Sequence, residues 1–157
     1  MVTVIVIYES QTGFTAAMAD GVVQGARSVG ANVDLLKIGS PFGVKKLAEA
    51  DAIILGSPVI YGDITPDLKI FIETIKDHIA VNHLDLQGKK GAAFGSYAFS
   101  GGWVIQELSE ELETLGIRIV VPPLVVVDGL ERQRPIRLDD KIQKNVQEFG
   151  RSVALVK

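Results

Sequence analysis

The sequence predicts an open α/β fold, a parallel sheet wound on both faces by helices. Apolar, strand-like runs alternate with amphipathic helix-like segments along the chain. Apolar strands separated by helices are the pattern of a parallel sheet covered on both sides. Five such βα units make a doubly wound sheet.

The first run, Val2–Tyr8, is apolar except for Thr3. A helix is predicted from about Thr15 to Val29, with Gly30 at its C-terminal stop. Val33–Ile38 is the second strand, and a shorter, weaker helix covers Val44–Ala50. Ala52–Leu55 is the third strand. The helix Pro66–His78 follows, with Thr65 as N-cap and Pro66 at its first position. Gly91–Phe94 is the fourth strand, and Val104–Leu115 the next helix, stopped by Gly116. The fifth strand runs Ile117–Val127 and is closed by the turn pair Asp128-Gly129. Leu130–Leu138 reads as a loop carrying Arg132, Arg134, Pro135 and Arg137. The last helix spans Asp139–Val153, with Asp139-Asp140 where the helix dipole favours negative charge.

With 157 residues the chain is predicted to be one domain, 1–157. An apolar fraction of 47% is ample for a packed core. The net charge of -3 gives no basis for non-specific nucleic-acid binding. Cysteine is absent, which excludes disulfides, Cys-ligated zinc and Cys-held iron–sulfur clusters. With only His78 and His83, no His-rich metal centre is expected, so redox chemistry would fall to an organic cofactor. Met1 leads straight into a strand-like run without a basic n-region. No apolar run approaches the ~18 residues of a membrane span. The expected location is cytoplasmic.

Three loops follow strands, on the edge where open α/β sheets bind ligands. The first is Ser10-Gln11-Thr12-Gly13-Phe14-Thr15. Hydroxyls and a glycine between a strand and a helix N-terminus suit a phosphate, because the first helical N–H groups lack intrahelical acceptors. The loop has no Lys or Arg and is not a P-loop. Neutral donors and a helix dipole suit one terminal phosphate of a resident cofactor better than a nucleoside triphosphate.

The second loop is Gly56-Ser57-Pro58-Val59-Ile60-Tyr61-Gly62-Asp63, and the third is Gly95-Ser96-Tyr97-Ala98-Phe99-Ser100-Gly101-Gly102-Trp103. Solvent loops seldom concentrate aromatics this way. A flat ligand between Tyr61 and Tyr97, with Phe99 or Trp103 nearby, accounts for both. Trp103 has a second reading, as a helix-start residue packed on the core. A phosphate at one end and a planar ring at the other describe FMN.

The chain resembles the flavodoxin family over its whole length. The resemblance rests on the Ser-x-Thr-Gly-x-Thr loop, the Tyr-Gly-Asp of the second loop and the Ser-Tyr of the third. Tyr8-Glu9-Ser10 and the run Phe94–Gly102 are also similar to the flavodoxin-like domain of diiron flavoproteins. The family implies a three-layer doubly wound fold with a five-stranded parallel sheet in the order 2-1-3-4-5. It also implies a site. Ser10, Gln11, Thr12, Gly13, Phe14 and Thr15 would wrap the FMN phosphate. Pro58, Val59, Ile60, Tyr61 and Gly62 would line one face of the isoalloxazine ring, with Tyr61 as a stacking aromatic. Tyr97 would cover the other face. Ser96, Ala98, Phe99, Gly101 and Gly102 would supply backbone groups to the pyrimidine edge. Gly62 resembles the glycine whose peptide turns to hydrogen-bond the ring nitrogen protonated on reduction, a move that separates the two one-electron steps.

Two departures stand out. Phe14 stands where the family often has Asn, and the Arg132, Arg134, Arg137 cluster with a modest net charge differs from the strongly acidic pattern of many members. A different kind of partner is expected. Asp63 and Asp67 read as solvent-facing or capping, and His78 and His83 as surface residues around a helix end.

The implied function is FMN-binding electron transfer between redox partner proteins. It calls for no catalytic residue, no metal and no nucleic acid, and a monomer is favoured. The alternatives are an FMN-dependent NAD(P)H:quinone reductase, or a separately encoded partner of a diiron flavoprotein. A response-regulator receiver is excluded, because Gly56-Ser57-Pro58 replaces the phosphorylatable Asp and no Lys follows Phe94. A Rossmann dinucleotide site is excluded because no Gly-x-Gly-x-x-Gly follows the first strand.

Overall fold

The computed structural model describes residues 1–128 and 136–157. Gly129, Arg132, Arg134 and Pro135 of the predicted turn and loop lie outside the described residues.

The elements alternate as predicted: β1 (Thr3–Tyr8), α1 (Phe14–Ser28), β2 (Asn32–Lys37), α2 (Lys45–Glu49), β3 (Ala52–Pro58), α3 (Pro66–Ala80), β4 (Lys90–Tyr97), α4 (Trp103–Thr114), β5 (Arg118–Ile119), β6 (Leu124–Val127) and α5 (Asp140–Leu155). The sheet order is β2-β1-β3-β4-β5, with β6 also on β4, and every strand pair is parallel. This is the flavodoxin-like order expected from the sequence.

The predicted fifth strand, Ile117–Val127, is corrected. Its ladder breaks into β5 and β6 around Pro122 and Pro123, whose nitrogens carry no N–H to donate. Both pieces keep β4 as their partner, Arg118 opposite Lys90 and Leu124 opposite Phe94.

Successive strand residues point to opposite faces, and the two cores follow from that alternation. Val4, Val6, Ile54, Ala92 and Phe94 pack with Phe14, Met18, Val22 and Val146 of α1 and α5. Ile5, Ile7, Ile53, Leu55 and Ala93 pack with Leu68, Ile72, Ile105 and Leu108 of α3 and α4. β2 is an edge strand and departs from the buried pattern, with Val33 buried and Leu35 exposed.

The Thr65 cap agrees with the sequence reading, and Asp139, read as the first helical residue, is instead the N-cap of α5. Thr65 accepts a hydrogen bond from the Leu68 N–H at 3.3 Å, and Pro66 opens α3. Asp139 Oδ1 accepts from the Ile142 N–H at 2.8 Å. α1 and α5 lie backbone to backbone, because a Cβ at Gly150 would sit 2.0 Å from the Val22 carbonyl oxygen. This close seat fixes α1, whose N-terminus carries the first of the three loops. Among the described residues no helix is long and apolar enough to cross a membrane.

Candidate functional site

The carboxyl ends of β1, β3 and β4 lie side by side, since Tyr8 pairs with Gly56 and Gly56 with Phe94. The three loops therefore leave the sheet together.

In the first loop, Gly13 stands at the N-cap of α1 with φ 100°, a left-handed conformation that a side chain disfavours. Ser10 Oγ accepts from the Gly13 and Ala16 N–H groups, both at 3.2 Å, and Thr12 Oγ1 accepts from the Phe14 N–H at 3.4 Å. The loop already gathers hydroxyls and first-turn N–H groups around one point. Gln11 and Thr12 are exposed there. Phe14 is buried in the core beneath α1, so its backbone alone faces the loop. This accounts for a phenyl ring where the family often has Asn. Thr15 is buried too, and its hydroxyl meets that of Ser96 at 3.4 Å. Next to the loop, burial and then the Asp20 and Glu9 carboxylates push the Tyr8 phenol above its ordinary pKa, which keeps it neutral.

The second loop begins later than predicted. Gly56, Ser57 and Pro58 continue β3, and Gly95, Ser96 and Tyr97 continue β4, with Ser57 opposite Gly95 and Pro58 opposite Ser96. The Val59 N–H then donates to the Ser96 carbonyl at 2.8 Å. Ile60 and Asp63 exchange two backbone hydrogen bonds, 2.7 and 3.0 Å. Between them Tyr61 (φ 49°) and Gly62 (φ 74°) are both left-handed, the geometry of a type I′ turn. Tyr61 is fully exposed at the tip.

The third loop packs on the second. A Cβ at Gly101 would lie 2.7 Å from Val59 Cγ1, and one at Gly102 would lie 3.0 Å from Tyr97 Cε1. Tyr97 and Ala98 are half-buried, while Phe99 and Trp103 are exposed, 87% and 61%. Trp103 opens α4 on the surface and does not pack on the core. Among the described residues no ring contact involves Tyr61, Tyr97, Phe99 or Trp103.

The family model described as Flavodoxin matches residues 6–139. The chain belongs to the flavodoxin family. Flavodoxins bind FMN and pass electrons to redox partners, and this chain is an FMN-binding electron-transfer member. It is 28% identical over 151 residues to a flavodoxin of Clostridium beijerinckii, covering 95% of this chain and 97% of that one. A flavodoxin from the domain Archaea superposes with a TM-score of 0.74 at 28% identity, over 98% of this chain and 96% of the other. The type A flavoprotein fprA of Rhodobacter capsulatus is 33% identical over 132 residues, 77% of this chain. There the chain spans 29% of the relative's length. A similarity to diiron flavoproteins, expected from the sequence, is also found.

Sequence reasoning missed one contact at the base of the second loop. Lys69, on the first full turn of α3, reaches back to Asp63 and pairs with its Oδ2. Asp63 Oδ1 accepts from the Ile64 N–H at 2.8 Å. The Lys69 ammonium, helped by that N–H, holds the Asp63 carboxyl below its ordinary pKa against a smaller opposing effect of burial. No motif spacing signals a pair six residues apart across a turn and a helix start. His78 and His83 sit around the end of α3 as expected, with ring centroids 6.1 Å apart.

Proposed function

We propose that the three loops form the FMN site and that the whole chain, 1–157, works as one FMN-binding electron carrier between partner proteins. The carrying observation is the convergence of a phosphate-type loop and two aromatic, glycine-bearing loops on one edge of the sheet. The residues present fit the group. The Ser10 and Thr12 hydroxyls, and the Gly13, Phe14 and Ala16 N–H groups that donate to them, are neutral groups of the kind that hold a phosphate. Gly13 turns the chain there without a Cβ in the way. Val59, Tyr61, Tyr97 and Phe99 offer apolar and aromatic surface to a planar ring.

When bound, FMN supplies reversible one- and two-electron redox chemistry. The chain's own residues bind, orient and shield. Ser10, Gln11, Thr12, Gly13, Phe14 (through its backbone) and Thr15 would hold the phosphate end. Pro58–Gly62 and Ser96–Gly102 would hold the ring. The Gly62 peptide would offer a backbone group to the ring edge. Near full-length alignment with the Clostridium beijerinckii flavodoxin supports a carrier over a reductase.

The deciding experiment adds FMN to purified protein, records the visible spectrum and reduces it stepwise without air, with NADPH and a quinone tested in the same cuvette. Bound flavin reduced in two resolved one-electron steps, and untouched by NADPH, is the expected result. Rapid reduction by NADPH with quinone turnover makes the protein a reductase. Absence of flavin binding rejects the site.

A further inference from the structure

Tyr61 is a bulky residue at φ 49° on a fully exposed tip. A non-glycine residue in that conformation is strained and persists only when its surroundings over-determine it. Little surrounds this one: Tyr61 and Gly62 are exposed, and a Cβ at Gly62 would touch nothing within 4 Å. What holds the turn lies at its base. Ile60 and Asp63 exchange two backbone bonds, and the Asp63 carboxylate makes two more contacts, to the Ile64 N–H and to Lys69 Nζ.

The two ends of the ion pair differ in rigidity. Lys69 stands on a fixed post, because its N–H donates to the Thr65 carbonyl, Thr65 caps α3, and the Thr65 N–H donates to Ser57 Oγ at the end of β3. Ile64, Thr65 and Leu68 are buried around it. Asp63 stands at the root of the exposed turn. The pair therefore ties a strained turn to an anchored helix. Both partners are about half exposed, so the tie is weak, of the same order as the strain it opposes.

We propose that Asp63–Lys69 is a positioning latch that holds the Ile60–Asp63 turn in its left-handed form and thereby sets the gap between the two one-electron potentials of the bound flavin. This rests on the reading of Pro58–Gly62 as a ring-side segment. A tied turn resists the backbone reorientation that follows reduction, and a released turn permits it. Lys69 touches neither flavin nor partner in this role. It acts through Asp63.

The test uses Asp63→Asn, Lys69→Gln, the double variant and the reversed pair Asp63→Lys with Lys69→Asp. In FMN-free protein, amide hydrogen exchange at Ile60 and Asp63 should quicken by up to about fivefold in either single variant, the scale of an exposed ion pair. Exchange at core amides such as that of Ile54 should stay as it was. In the FMN-loaded protein both single variants should shift the potential gap in the same direction. The double variant should go no further than either single, and the reversed pair should restore part of the shift. Shifts of opposite sign in the two singles would mean bare charge acting through space, and overturn the latch. So would FMN binding that moves the Tyr61 and Gly62 amide resonances while both singles keep wild-type potentials. FMN binding that leaves those resonances unmoved overturns the ring-side reading itself, and the latch's redox role with it.

Discussion

Thr15 and Ser96 meet hydroxyl to hydroxyl at 3.4 Å, with 1% and 2% of their surfaces exposed. Thr15 belongs to the first turn of α1 and Ser96 to the end of β4. Their contact ties the loop read as phosphate-binding to the loop read as ring-binding. A separation of 3.4 Å is long for a hydroxyl pair, so its worth lies near the low end of hydrogen bonds. Thr15→Val keeps the branched shape and strands the Ser96 hydroxyl. It should cost about 1 kcal/mol in a urea titration of the FMN-free protein. Adding Ser96→Ala should recover part of that loss. Strict additivity of the two changes would mean that the contact contributes nothing.

Gly62→Ala tests the turn without touching the loop of Ser10–Thr15. With open space around the new Cβ, its cost is backbone strain alone, about 1–2 kcal/mol. FMN should still bind, and a redox titration should show the gap between the two potentials altered. An unchanged gap would show that the Gly62 peptide takes no part in reduction.

Tyr97→Ala removes a half-buried ring beside Gly102. Loss of one stacking partner should weaken FMN binding by about 0.5–1.5 kcal/mol beyond the lost area, and should change the flavin absorbance. Wild-type affinity and spectrum together would remove Tyr97 from the ring site.

Gly150→Ala should loosen the molecule from the far side. Its Cβ would fall 2.0 Å from the Val22 carbonyl oxygen, a backbone atom that cannot swing away. Overpacking of this kind costs about 1–3 kcal/mol or more. The thermal midpoint should fall. FMN affinity should fall with it, since α1 carries the loop of Ser10–Thr15. A variant as stable as the parent would contradict the close seat of α1 on α5.

Asp63 gives a pH dependence whose sign is set. Its carboxyl is held low by the Lys69 hydrogen bond, with help from the Ile64 N–H. A group with a depressed folded pKa adds stability that is fully present above its unfolded value, near ~4 for a carboxyl. That contribution is lost as pH falls through the lower folded value. Half exposure limits it to about 1 kcal/mol or less. Stability curves of the parent and of Lys69→Gln should converge as pH falls below about 4. Curves that run parallel through that range would place the pair's contribution elsewhere.

The β1 and β3 alternation was legible because a buried parallel strand must be apolar on both faces, and Val4–Ile7 and Ala52–Leu55 are. The strand ends were less legible. Gly56-Ser57-Pro58 and Gly95-Ser96-Tyr97 have turn-like composition, yet they continue the ladder. The reason at Gly95 is steric, since a Cβ there would lie 2.3 Å from both Ile105 Cδ1 and the Ser57 carbonyl oxygen. A small residue was required by packing and was read as a sign of a loop. The break at Pro122-Pro123 did carry its signal, in two nitrogens unable to donate.

By itself the sequence determined the βα alternation, the cap at Thr65, and the composition of three strand-end loops. These follow from local periodicity and from side chains acting on their own neighbours. The tertiary structure alone decided that Thr15 faces Ser96, that Gly101 closes on Val59, that Phe14 turns into the core, and that Asp63 is tied to Lys69. Most of these join segments brought together by the parallel order of the sheet. The Asp63–Lys69 pair needs the chain to double back over a helix cap. No pattern along the chain encodes these contacts, because the first kind arises only when the strands pair and the second only when the turn folds back on α3.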